Sequence, residues 1–140
     1  MTTMLHDDFF ETELGLLPAE WSIIKLEKHV DLETGKRMKG GARTEIGILS
    51  IGGEHITKSG NILTDITRYI TEDFYANLKQ GKVQPSDILL VKDGATTGKM
   101  AYVKILPLAR MAVNEHVFII RSKHTNILEN EYLYYALKSE

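Results

Sequence analysis

The chain has 140 residues, 43% of them hydrophobic and 26% charged, with no cysteine and a formal net charge of -2. That length suits one domain with a core of its own, and the missing cysteine excludes a disulfide framework and any Cys-based zinc site. No apolar run approaches the ~20 residues that span a bilayer, and the acidic start MTTMLHDDFFETEL lacks the basic-then-apolar order of a signal peptide, so a cytoplasmic location without a membrane partner is expected.

In chain order, residues 1–14 show no period and read as a loosely ordered N-terminal extension, with a single domain over 15–140. In GLLPAEW, Leu17 stands before Pro18 and is biased towards extended backbone, while Trp21, the one tryptophan, is a natural anchor to a core. WSIIKL reads as a short strand, and EKHVDL as a helical turn or a strand end. ETGKRMKGGARTE is Gly-rich and basic with little apolar content, and reads as a loop. IGILSIGGEHI is a β-branched, apolar strand that breaks at Gly52-Gly53. GNILTDITRYI reads as strand or extended chain. TEDFYANL reads as a helix, with Thr71 able to cap it and Glu72 and Asp73 at the positive end of its dipole. QGKVQPSD is a turn. DILLVKD and KMAYVKIL are strands joined by the loop GATTGKM, and MAVN and HVFIIRS supply one or two more. EYLYYALKSE carries Tyr132, Leu133, Tyr135, Ala136 and Leu137 on a helical stripe. The fold class is therefore α+β, a twisted, mostly antiparallel or mixed sheet with a few short helices.

The motifs for catalysis fail one by one. GATTGKM superficially suggests a phosphate-binding loop, but only three residues separate Gly94 from Gly98. Met100 stands where that loop's magnesium-binding hydroxyl belongs, and a strand rather than a helix follows. The five histidines (His6, His29, His55, His116 and His124) form no i, i+4 pair. On a strand, Glu54 and His55 would point to opposite faces, so a polar histidine at a strand edge is the simpler reading. No Asp or Glu has Lys at i+2, as a common metal-dependent nuclease arrangement requires. No G-x-S-x-G elbow surrounds a serine, and no N/D-P-P-Y/F run of an amino-methyltransferase occurs. No enzyme activity, metal or cofactor is expected.

Polar recognition remains. Residues 1–33 hold eight acids and two bases, residues 34–123 hold fourteen bases and eight acids, and residues 124–140 hold three acids and one base. The basic middle can offer a positive face that the total conceals. Within it GKRMKGGAR carries Lys36, Arg37, Lys39 and Arg43 with no acid between, and flexible glycines beside cations suit a phosphate backbone, although a solvated loop has the same composition. Arg68 lies in the next polar segment, and Lys92, Thr96, Thr97 and Lys99 lie in or beside GATTGKM. Arg110 and Asn114 lie on a later strand, and Asn114 has the amide that can read adenine.

The ordered series GLLPAEW, GILSIGGEHI, GNI, YI, DILLVKDGATTGKMAYV, AVNEHVFIIRS and EYLYYALKS resembles the target-recognition domain of type I restriction-modification specificity subunits. The resemblance runs from about Gly15 to the C-terminus, and DILLVKDGATTGK is its strongest block. It implies an α+β domain that reads one half of a split double-stranded DNA target, in a subunit without catalytic activity. It also implies two partners: an adenine methyltransferase subunit that uses S-adenosylmethionine, and a motor-nuclease subunit that cuts. Its candidate DNA-binding residues are Lys36, Arg37, Lys39, Arg43, Arg68, Lys92, Thr96, Thr97, Lys99 and Asn114. Against the family pattern, the second recognition domain, the spacer helix and the closing strand region past YLYYALKS are missing, so a C-terminally truncated domain or a self-associating half-subunit is expected. The family often has Gln where Glu115 stands. The alternative is a protein-interaction module that docks on methyltransferase or specificity subunits through the Tyr132–Leu137 stripe without reading DNA.

Overall fold

The computed structural model describes residues 9–12, 15–18, 26–125 and 128–138. Phe9–Thr12 (β1) and Gly15–Pro18 (β2) pair as an antiparallel hairpin, so Leu17 is extended before Pro18 as its sequence context predicts, and part of the expected loose extension is a strand. Trp21 and most of WSIIKL fall outside the described residues. The last residue of that stretch opens a 3-10 turn, Leu26–Lys28, rather than ending a strand.

The remaining strands are Val30–Thr34 (β3), Ile48–Ile51 (β4), Tyr69–Ile70 (β5), Ile88–Val91 (β6), Met100–Tyr102 (β7), Met111–Val113 (β8) and Val117–Ser122 (β9). The helices are Glu72–Ala76 (α1) and Asn130–Lys138 (α2). One four-stranded sheet has the order β3-β9-β6-β7, all antiparallel. A three-stranded sheet has the order β5-β4-β8, in which β4 and β5 are antiparallel and β4 and β8 parallel. The predicted α+β class and its mostly antiparallel, mixed sheet are what the molecule has.

The two sheets face each other because the strands are apolar on both sides of their pleat. Leu49 and Ile51 of β4 and Met111 and Val113 of β8 meet Leu89 and Val91 of β6 and Val117 and Ile119 of β9 in the central core. The alternate residues turn outward. Ile88 and Ile120 meet Leu133 and Tyr134 of α2, while Ile48, Ile70 and Ala112 meet Met38 and the partly buried Phe74, Tyr75 and Leu78 around α1. The period of two thus places one short helix on each outer face. Each such Leu or Ile, fully buried, contributes roughly 1.5–3 kcal/mol.

Both helices are tied down locally. Thr71 Oγ1 accepts from Phe74 N at 3.2 Å, the cap expected from the sequence. Asn130 fastens the start of α2, its Oδ1 accepting from Ser122 N and its Nδ2 donating to Ser86 O, both at 2.7 Å. The α2 stripe does not form a single outward face: Leu133 is buried and Leu137 half-buried, whereas Tyr132 and Tyr135 are exposed.

GNILTDITRYI contains no helix: it is strand at Tyr69–Ile70, with one bridge from Ile62 to Ile56 and irregular chain elsewhere. Its carbonyls and amides are taken up by the preceding turn instead: Leu63 N donates to His55 O at 2.7 Å and His55 Nε2 donates to Ile66 O at 2.8 Å. Gly53–His55 is a 3-10 turn rather than strand, so the two-faced alternation assumed for Glu54 and His55 does not apply.

An ion cluster around the buried Asp87 ties together β3, β9 and the entry to β6 of the four-stranded sheet. Arg121 on β9 donates to Asp87 Oδ1 and to Glu33 Oε2, each at 2.6 Å, and to Lys82 O at 2.7 Å. Burial pushes the Asp87 carboxyl above the usual carboxylate range, against the opposing pull of Arg121 and of the Gln84 N–H.

Candidate nucleic-acid interface

Because β4 and β8 run parallel, their C-terminal ends emerge side by side, and Asn114 N donates to Ile51 O at 2.8 Å where they do. Two short turns therefore sit together, 52–55 after β4 and 114–116 after β8. The loop 35–47 arrives from β3 and is pressed against them at Gly35, where a Cβ would lie 2.0 Å from Val113 O. Only glycine permits that approach. It delivers Lys36 and Arg37 to the ends of the parallel pair.

The result is a cleft of about 230 Å³ lined by Lys36, Arg37, Arg68 and Asn114, four of the ten residues singled out from sequence, together with Glu54 and Glu115. An open groove adjoins it, sharing Lys36 and Arg37 and adding Lys39 and Arg43. Among the described residues, none of these five cations has a carboxylate partner; Arg68 donates to the carbonyl of Thr67 at 3.1 Å.

The other four residues do not line this cleft, and two of them, Lys99 and Thr96, brace its 52–55 turn. Lys99 Nζ donates to Gly53 O at 2.7 Å, which ties the β6–β7 loop to the 52–55 turn. Thr96 packs on the same turn, since a Cβ at Gly53 would meet its Oγ1 at 2.5 Å. Thr97 Oγ1 donates back to Gly94 O at 2.7 Å inside its own loop. Lys92 lies on the four-stranded sheet, where its Nζ donates to Thr34 Oγ1 at 3.1 Å and sits 4.9 Å from the centre of the Phe118 ring. Gly94 and Gly98 have φ of 91° and 97°, as the sharp turn between two strands requires.

Histidines contribute structure here. His55 is fully buried, with Nδ1 accepting from Gly52 N at 3.0 Å and Nε2 donating to Ile66 O, so both ring nitrogens are engaged. His116 contacts the carboxylate of Asp93, which links the β6–β7 loop to the 114–116 turn. Among the described residues no three His, Asp or Glu side chains converge as a metal site. Arg110 is neutralised by a two-bond contact with Glu72, at 2.5 and 2.8 Å.

Sequence reasoning misses Glu54 and Ser50 as cleft residues. The signal for Glu54 is the Gly52-Gly53 break, which replaces strand alternation with a turn and lets Glu54 face the cleft.

A positive, polar cleft on an α+β scaffold can be compared with known proteins. The family described as type I restriction modification DNA specificity domain matches residues 18–140. The chain belongs to that family. It is 25% identical over 139 residues to the type I restriction enzyme MjaVIII specificity subunit of Methanocaldococcus jannaschii, a match covering 96% of this chain and 32% of that one. Its fold resembles that of the HsdS subunit from Thermoanaerobacter tengcongensis, with a TM-score of 0.63 and 16% identity over 94% of this chain and 30% of that one. The chain thus spans about a third of the length of the specificity subunits it matches. No described helix is long and apolar enough to cross a membrane.

Proposed function

We propose that this specificity domain reads one half of a bipartite duplex DNA target and is itself non-catalytic. It directs an adenine methyltransferase subunit and a motor-nuclease subunit to that target, in the cytoplasm. The observation that carries the reading is the set of five cations without carboxylate partners among the described residues, Lys36, Arg37, Lys39, Arg43 and Arg68, gathered along one cleft and the groove that adjoins it. Phosphates are the natural counter-charge for such a set, and phosphate contacts fix register while nearby polar groups read bases. Membership of the specificity-domain family supports the same reading. Thr96 and Lys99 then serve DNA indirectly, by holding the 52–55 turn beside the cleft.

The test is methylation mapping in cells. A complete specificity subunit carrying this domain, assembled with its methyltransferase, should methylate adenines at a defined bipartite motif. Replacing this domain by that of another specificity subunit should change one half of the motif and leave the other. An unchanged motif would refute the proposal.

A further inference from the structure

Asn114 and Glu54 meet across Gly52. A Cβ built on Gly52 would stand 2.5 Å from Asn114 Nδ2 and 2.5 Å from Glu54 Oε1. Gly52 itself has φ -119° and ψ -172°, ordinary extended backbone open to any residue. Glycine there leaves room for the amide and the carboxylate to approach each other; a Cβ would push one of the two aside. The two groups are not bonded to each other. Asn114 Oδ1 is occupied, accepting from His116 N at 2.8 Å, which leaves Nδ2 as a donor with no partner among the described residues. Glu54 Oε1 lies 3.2 Å from His55 Nδ1, while Oε2 has no partner among the described residues; the side chain is half exposed. Both residues line the cleft that Lys36, Arg37 and Arg68 also line.

We infer that Asn114 Nδ2 and the Glu54 carboxylate act together as a donor–acceptor pair that reads a base carrying an exocyclic amino group in the major groove. The inference rests on the DNA-reading function proposed above. A carboxylate accepts from the N4 amino group of cytosine or the N6 amino group of adenine, and a neighbouring N–H donor fits adenine N7. Guanine presents only acceptors, N7 and O6, on that edge, and thymine presents O4 and a methyl group, so the carboxylate repels both. With its Oδ1 engaged, Asn114 does not need to read adenine through both of its own atoms; Glu54 supplies the acceptor. The flanking cations hold the phosphates and offset the cost of placing a carboxylate near DNA.

The test uses the complete specificity subunit in its methyltransferase complex and a randomised duplex library. The wild-type complex should restrict one position of this domain's half-site to adenine or cytosine. Glu54→Ala and Asn114→Ala should each relax that position about tenfold while leaving the other positions of the half-site unchanged. Removing the amino group from the DNA, with purine in place of adenine, should weaken wild-type binding about tenfold and binding by Glu54→Ala not at all. A wild-type complex that selects a motif which both variants keep unchanged overturns this inference and leaves the DNA-reading proposal standing. A wild-type complex that selects no motif overturns both.

Discussion

Arg121 and the cations of the 36–43 loop are the same chemistry put to opposite uses. Arg121 is held by Asp87, Glu33 and the carbonyl of Lys82, joining β3, β9 and the entry to β6. Lys36, Arg37, Lys39 and Arg43 sit on a Gly-rich loop and form no ion pair among the described residues, although Glu54, Glu115 and Asp73 line the same cleft and groove. What separates them is whether the fold pairs them with acids. Net charge, here -2, is blind to this, since it counts an internally neutralised arginine and an available one alike.

The comparison breaks most visibly at Arg121. Arg121→Ala leaves the buried Asp87 and the half-buried Glu33 without their counter-charge and should destabilise the domain by about 3–5 kcal/mol, read by denaturant unfolding. Lys99 lies between the two extremes, a cation whose bond to Gly53 O braces the cleft. Lys99→Ala should cost about 1–2 kcal/mol of stability, and should weaken DNA binding only as far as the 52–55 turn loosens. Thr71→Ala removes a helix cap near the groove and should cost about 1 kcal/mol. Each single change of Lys36, Arg37, Lys39 or Arg43 to Ala should shift unfolding least, by no more than about 0.5 kcal/mol, because among the described residues these side chains make no hydrogen bond or ion pair.

Much of the fold is legible in the sequence. The apolar runs ILSI, DILLV, MAYV, MAV and HVFIIRS all form strands, because each is short, rich in strand-forming residues and contributes buried side chains to the core. Thr71 is legible as a cap because its role is local. The parallel pairing of β4 with β8 is not legible. It joins residues some sixty positions apart in sequence, and it decides that Gly52, Glu54 and Asn114 meet. For the same reason composition can group Lys99 and Thr97 with Lys36 but cannot show that the first two bond inward. Strand alternation alone sets Glu54 aside, and the Gly52-Gly53 pair is the local sign that alternation ends there.

The central claim is that the loop cations face DNA phosphates, and its most direct test is the salt dependence of duplex binding. The complete subunit in its methyltransferase complex, wild type and with Lys36, Arg37, Lys39 and Arg43 changed to Ala, would be titrated with its target over a range of salt concentrations. Each phosphate left without its cation should reduce the slope of log K against log salt by about 1, so the slope should fall by up to about 4 with the fold intact. An unchanged slope in a folded variant would contradict the claim.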